Sequence, residues 1–474
     1  MTERTSTGRF PTTLRQALIA FALAQFICSF AGSNMNVMIT DISKDLNTTV
    51  QGVQLAITLF LLVMAALMIP GGKLTDRYGR KWCLILGLLL FGSGALLSSF
   101  APGLGVLIIG YSVLEGVGTA LLIPPVYILT TLLFRDVGSR ARAFGAISAM
   151  GGIGAVAGPL IGGFIAYAIS WRAAFVLQAL IVLAIVLLSR RAVRDPLPPD
   201  RSVPFDVLGA VLSAAGLMLI VIGILLADDN ALATLGLVVA GAVVLALFFV
   251  TVRAKERSGR EPLLSTSLFR NRASNLGLVT QNTQWLMVMG SSFVVSTYLQ
   301  VVRGYNAIET GGVFTATTVG VLISSLFAER MAKRRPQRTL ILAGFLVTIA
   351  GIALLLLLGG TSERIWAMLP GLFVIGLGLG GMLTPSVNVV QSSFPEHLQG
   401  EISGLSRSVS NLGSSLGAAL TGTILVAGVN GAAPGRAYVL AMVAVAGAGV
   451  IGLVAAWFLP TGQILAQDGG SRST

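Results

Sequence analysis

Of 474 residues, 54% are hydrophobic and only 11% charged, with a mean hydropathy of +0.86. That balance excludes a water-soluble globular protein and implies a chain that crosses a membrane many times. The net charge of +13 would suggest nucleic acid in a soluble protein, but in a membrane protein basic residues first set orientation.

Met1 to Arg15 is polar and offers no small-residue cleavage site, so the apolar run after it is expected to remain as the first span. Apolar runs of about 20 residues place six spans at 17–40, 52–72, 82–100, 104–129, 143–168 and 173–189. Two more follow at 206–227 and 232–252, then six at 275–300, 309–328, 339–359, 366–390, 404–428 and 436–459. Fourteen spans put both termini on one side. That side is the cytoplasm, because the outer segments hold only Lys44, Arg172, Arg303, Arg364 and Arg436 of the 32 basic residues. The basic excess is therefore orientation chemistry, and no nucleic-acid partner is expected.

The proline-rich Arg190–Pro204 and the polar Arg253–Arg272 set the seventh and eighth spans apart. The expected division is a cytoplasmic tail (1–16), an N-terminal six-helix bundle (17–190), two extra helices (205–252), a cytoplasmic loop (253–274), a C-terminal six-helix bundle (275–460) and a second cytoplasmic tail (461–474). No nucleotide-binding loop, metal cluster or set of nucleophile and base is visible, so no enzyme and no cofactor are expected. Energy would come from an ion gradient. Cys28 and Cys83 lie inside apolar segments and read as buried free thiols, and His397, the single histidine, reads as a solvated loop residue.

In the fifth span, Gly145, Gly154, Gly158, Pro159, Gly162 and Gly163 fall at fixed intervals. Gly154, Gly158 and Gly162 share one helix face, where a neighbouring backbone can approach closely. The same spacing returns in the thirteenth span as Gly404, Gly413, Gly417 and Gly422, with Ala418 in place of Pro159. One span earlier in each half, Gly116, Gly118 and Pro125 match Gly376, Gly378 and Pro385, and the basic loop before the third span matches Arg330–Arg338. A repeat separated by an even number of spans keeps its orientation, which implies two six-helix bundles about an axis along the membrane normal, with a substrate path between them.

The stretch Gly71–Trp82, GGKLTDRYGRKW, resembles the loop between the second and third spans of the major facilitator superfamily, matching at Gly72, Leu74, Asp76, Arg77, Gly79, Arg80 and Lys81. The fifth-span motif, followed by Trp171-Arg172-Ala173-Ala174-Phe175, is similar to that of its fourteen-helix drug/proton antiporters. The resemblance implies an all-α integral membrane fold with fourteen transmembrane helices, located in the plasma (inner) membrane. It further implies export of amphipathic small molecules by proton antiport, with no cofactor, and a gating role for Gly72, Asp76, Arg77, Gly79 and Arg80. A monomer is expected. An exporter or uniporter of a native metabolite or lipid, and a non-transporting sensor, are the alternatives. On elementary grounds, Asp76 and its basic neighbours either latch onto adjacent helix ends or are a plain topogenic cluster.

Two positions depart from that family. Ala31 or Gly32 stands where its first span carries an Asp, and Ser112 stands for the fourth-span Arg. Glu115 has instead appeared near the centre of the fourth span, opposite the neutral Ile375 in the other half. An intramembrane carboxylate is a functional candidate by default, here for binding a proton or a cationic substrate, with a hydrogen-bonded structural Glu as the alternative. Arg407, inside the thirteenth span, either snorkels to the cytoplasmic face or makes an inter-bundle or substrate contact. Asn34, Asn36, Gln281, Asn282 and Trp285 either line a cavity for a large amphipathic ligand or pack helices together.

Overall fold

The computed structural model describes residues 12–460 apart from 135, 202–203, 227–230, 333–334, 362–363, 395–397 and 431–433. His397 and most of both tails lie outside the described residues. In chain order the membrane-length helices are α1 (Thr12–Asp45), α2 (Val50–Tyr78), α3 (Arg80–Ser99), α4 (Leu104–Leu133), α5 (Val137–Ala168), α6 (Trp171–Ala192) and α7 (Val207–Leu225). Then come α8 (Ala231–Arg257), α9 (Arg272–Val302), α10 (Ala307–Ala332), α11 (Gln337–Thr361), α12 (Ile365–Gln391), α13 (Gln399–Asn430) and α14 (Pro434–Trp457). Over the described residues, thirteen of these stretches are long and apolar enough to cross a membrane by length and composition.

Several helices overrun their apolar stretches. α8 continues through Arg253, Lys255 and Arg257, and α9 begins at Arg272, so the loop expected at 253–274 shortens to 258–271 with a single turn of 3-10 helix at Thr266–Phe269. The reason is that Lys, Glu and Arg are good helix formers, and a helix end can leave the bilayer still wound. α2 likewise stays helical to Tyr78, and Gly79, with φ +94°, alone makes the break before α3. Only glycine takes that backbone conformation without strain.

The repeat is visible in the packing. Gly154 leaves no room for a Cβ against the Phe26 carbonyl of α1, and Gly413 leaves none against the Asn282 carbonyl of α9. Gly163 is closed in by Ala307 of α10, and Gly422 by Gln54 of α2. So α5 packs on α1 within its own half and on α10 across the molecule, while α13 packs on α9 within its half and on α2 across it. Gly145 and Gly404 face open space, which leaves the close approach to the outer glycines of each motif.

The serines of α13 lie along a seam between the two halves. Ser408 donates to the Ala65 carbonyl at 2.5 Å and Ser415 to the Thr58 carbonyl at 3.1 Å, while Gln54 of α2 donates back to the Ala418 carbonyl at 3.1 Å. The extra helices α7 and α8 pair with each other, and α7 lies along α2 and α13. The loop between α8 and α9 buries Leu263, Leu264 and Leu268 against Phe248, Val252, Ile402 and Leu405.

Candidate transport site

The centre of α4 is irregular. Residues Ile108–Glu115 wind as a π-helix, a form that recurs at functional positions. Gly94 of α3 sits close against this segment, where a Cβ would lie 2.9 Å from the Glu115 amide nitrogen. In the other half, Gly351 of α11 stands in the same relation to Ile375, at 2.6 Å from its nitrogen. Glu115 and Ile375 are therefore equivalent in space as well as in sequence.

Tyr111 fills the middle of the first half. Its hydroxyl donates to the Ala31 carbonyl at 3.1 Å, its ring stacks on Phe60 at 4.6 Å and meets the edge of Phe175 at 5.9 Å. Ser112 donates to the Ala56 carbonyl at 2.8 Å. Thus Ala31 and Ser112, which stand at the two positions of departure, are occupied in helix packing. One π turn inward from Tyr111, Glu115 is fully buried, and neither carboxylate oxygen has a hydrogen-bond partner among the described residues. Its backbone carbonyl accepts the Thr119 hydroxyl at 2.8 Å, and Thr119 also meets the Cys28 sulfur on α1. An unpartnered buried carboxyl weakens a fold, so packing alone does not account for it.

Arg407, partly exposed, ends on an aromatic ring. Its guanidinium lies over the Tyr127 ring of α4 at 4.9 Å and donates to the Tyr127 hydroxyl, crossing from one half to the other. Tyr127 in turn donates to Gln25 of α1 at 3.2 Å. An aromatic face attracts a cation at this distance.

The cavity candidates occupy two kinds of contact. Gln281 accepts the Ser406 hydroxyl at 2.8 Å and Asn282 donates to the Val409 carbonyl at 2.9 Å, so both fasten α9 to α13. Trp285 is partly exposed on α9. Asn34 is wedged against Gly158 and Gly162 of α5, with both amide atoms unpartnered among the described residues. Asn36 lies in a 3-10 turn, Met35–Met38, that interrupts α1; its carbonyl accepts Ser296 and Gln300 of α9, and its amide reaches Met289 at 3.5 Å. Asn36 thereby joins the two halves.

At the turn between α2 and α3, Asp76 accepts from Arg80 across the Gly79 break at 2.7 Å. The carboxylate that caps a neighbouring helix is a different one. Asp195, after α6, accepts from the backbone of Arg80 at 2.7 Å and Lys81 at 3.4 Å at the start of α3. A free carboxylate can reach the exposed amides from outside, whereas Asp76 is held on α2 one turn before them. Arg77 lies over the Tyr78 ring at 5.7 Å, and Gly72 meets Pro124 at ordinary contact distance. The contact across the halves comes from Lys73, which bonds Glu401 of α13 at 2.9 Å; the other Glu401 oxygen accepts the Ser265 amide at 3.2 Å. Sequence reasoning missed Asp195, Glu401 and Tyr127. The first two had a weak signal, each being an acidic residue next to a basic or helix-starting segment.

Two repeated halves, a polar seam between them and an unpartnered carboxyl group within the membrane define a secondary transporter, a protein that moves a small molecule through the bilayer without enzymatic chemistry. The chain belongs to the Major Facilitator Superfamily, whose family model matches residues 21–418. It is 30% identical over 412 residues to the puromycin resistance protein pur8 of Streptomyces alboniger, covering 86% of this chain and 81% of that one. It is 29% identical over 426 residues to the multidrug efflux pump LfrA of Mycolicibacterium smegmatis, covering 89% and 83%. Among solved structures, the peptide transporter POT in complex with sulfate superposes with a TM-score of 0.68 at 17% identity, covering 93% of both chains, a likeness of fold alone.

Proposed function

We propose that this protein exports amphipathic drugs or antibiotics across the plasma membrane, with both termini in the cytoplasm, and that inward proton movement drives it. Membership of the superfamily and likeness to resistance and efflux proteins support the export of small molecules. The single observation that carries the coupling is Glu115, a fully buried, unpartnered carboxylate at a position where the other half accommodates Ile375. A group the fold does not need, held where charge is costly, is suited to taking up and giving off a proton as the bundles rock. Gly72, Asp76, Arg77, Gly79 and Arg80 would then hold the cytoplasmic side closed together with Lys73 and Glu401, and the protein would act as a monomer.

The test is flux in proteoliposomes. Purified protein should expel a fluorescent dye or an aromatic antibiotic against its gradient when a pH gradient is imposed, and Glu115→Gln should abolish that drive while retaining downhill movement. Uphill export by Glu115→Gln at the wild-type rate would remove Glu115 from the coupling. Downhill flux in both proteins with no response to pH would favour a uniporter.

A further inference from the structure

The connector between α8 and α9 is polar in sequence, yet its backbone from Leu263 to Thr266 is tied to three helices. The Leu263 amide donates to Asp206 at the start of α7 at 3.1 Å, the Ser265 amide to Glu401 of α13 at 3.2 Å and the Thr266 amide to Glu256 of α8 at 2.6 Å. Asp206 also accepts the Lys255 ammonium of α8, and Glu256 the Ser265 hydroxyl at 3.1 Å. Bonds to an ionised carboxylate are about twice as strong as neutral ones, so this short run is firmly held.

Apolar packing follows the same lines. Leu263, Leu264 and Leu268 are buried in one cluster with Val252 of α8 and Ile402 of α13, and Ile69 of α2 packs against it. Further along, α7 lies over the seam itself. Val221 shares a cluster with Leu62 of α2 and Ala419 of α13, and the Thr423 hydroxyl of α13 reaches the Ile224 carbonyl at 3.5 Å. We propose that α7, α8 and their loop form a strap across the seam between α2 and α13, which holds Glu401 in place for Lys73 and so sets how readily the two halves part at this end. This deepens the reading of Lys73 and Glu401 as a closing pair, and rests on it.

The two oxygens of Glu401 divide the task. One accepts Lys73 of the first half at 2.9 Å, and the other accepts the Ser265 amide of the strap. The ion pair is about a quarter exposed, and such pairs hold little by themselves, because water screens them and two long side chains must be ordered. A carboxylate already fixed by the loop has less freedom to lose when the lysine docks. The strap thereby strengthens a weak pair. On opening, Lys73 leaves while Glu401 keeps Ser265, so the carboxylate retains a donor and stands ready for the return.

The experiment uses the whole protein in detergent, with Ser408→Cys as the reporter in every sample. Ser408 is buried and donates across the seam to Ala65, roughly two turns of helix from Glu401, so an alkylating reagent reaches a thiol there as the seam opens. The adduct is followed by mass spectrometry. Ser265 has φ −71°, so Ser265→Pro fits the backbone and deletes the amide that reaches Glu401. We expect Ser265→Pro to speed labelling by at least about threefold, and Ser265→Ala, which keeps the amide, to stay within about twofold of the parent. Lys73→Gln should also speed it, and combined with Ser265→Pro should add nothing beyond the larger single effect, since both act through Glu401. A parent rate in Ser265→Pro beside a raised rate in Lys73→Gln would overturn the strap and leave the closing pair standing, whereas parent rates in both would overturn both. Fully additive effects would show the loop acting elsewhere than on Glu401 and would also overturn the proposal. Should Ser265→Pro not fold, Glu256→Ala frees Ser265 and Thr266 without touching Glu401 and must raise the rate by itself; a parent rate there would refute the strap.

Discussion

Replacing Glu115 by isoleucine, the residue at its repeat position, should make the protein more stable and less useful. Both carboxylate oxygens are buried without partners among the described residues, and leaving a polar group so placed costs about 1 to 3 kcal/mol. Apolar substitutes for buried charged groups are often neutral or stabilising by about 1 to 4 kcal/mol. The packing can accept the exchange, since Gly94 and Gly351 shelter the two positions alike. We expect Glu115→Ile to gain about 1 to 3 kcal/mol, read as a rise of several degrees in thermal unfolding in detergent, while pH-driven export is lost. A fall in stability of more than about 1 kcal/mol would refute the reasoning, because it would mean that Glu115 makes a structural bond that its surroundings do not reveal.

Gly158→Leu should separate α5 from α1, since even a Cβ would lie 3.0 Å from the Asn34 amide and closer still to Ser33; a loss of monodisperse protein on size exclusion is expected, whereas Gly152→Ala, which faces open space, should be neutral. Lys73→Gln should change stability by less than about 1 kcal/mol, because the Lys73 and Glu401 side chains are about a quarter exposed and screened by water. Its effect should appear instead as faster labelling of a cysteine introduced beside Glu401 at the start of α13, and an unchanged rate would remove this pair from the gate. At the loop between α8 and α9, burial opposes ionisation of Asp206 and Glu256. The bonds from Lys255, Gly209 and Leu263 to Asp206, and from Thr266 and Ser265 to Glu256, outweigh it and hold both carboxyls below their ordinary range. Groups lowered on folding stabilise above their ordinary values, 3.8 and 4.5, and lose that contribution as pH falls through the folded ones. Limited proteolysis should therefore cut residues 258–271 faster in acid below that range, and cleavage independent of pH would count against the tie.

The architecture was legible because membrane physics leaves strong marks: the apolar lengths gave the spans, and two copies of one glycine spacing gave the halves. Glu115 was legible for the same reason, being a lone carboxylate in an apolar run. The contact of Arg407 across the two halves was not. Tyr127 and Arg407 are 280 residues apart, and no local pattern joins an aromatic on one helix to a cation on another. Asp195 was hidden inside what reads as a mere proline-rich connector, and Asp76, placed where a latch was expected, proved to be bonded to its own neighbour across Gly79. Asn36 and its companions are polar whether they line a cavity or tie two helices, and only the folded chain shows Ser296 and Gln300 on the Asn36 carbonyl.

The hydroxyls of α13 bear on how such a molecule can move at all. Ser408 and Ser415 donate to carbonyls of α2 that lie within a continuous helix, so each carbonyl keeps its own backbone bond when the seam parts. The serine, once released, can turn to the carbonyl one turn back on its own helix, as Ser410 already does with Ser406 at 2.9 Å. Neither these two hydroxyls nor their acceptors are left orphaned. A seam of leucines would hold the halves by bulk, and a seam of salt bridges would strand charges on opening. Here the two faces can exchange partners at little cost, as a hinge that unfastens without tearing.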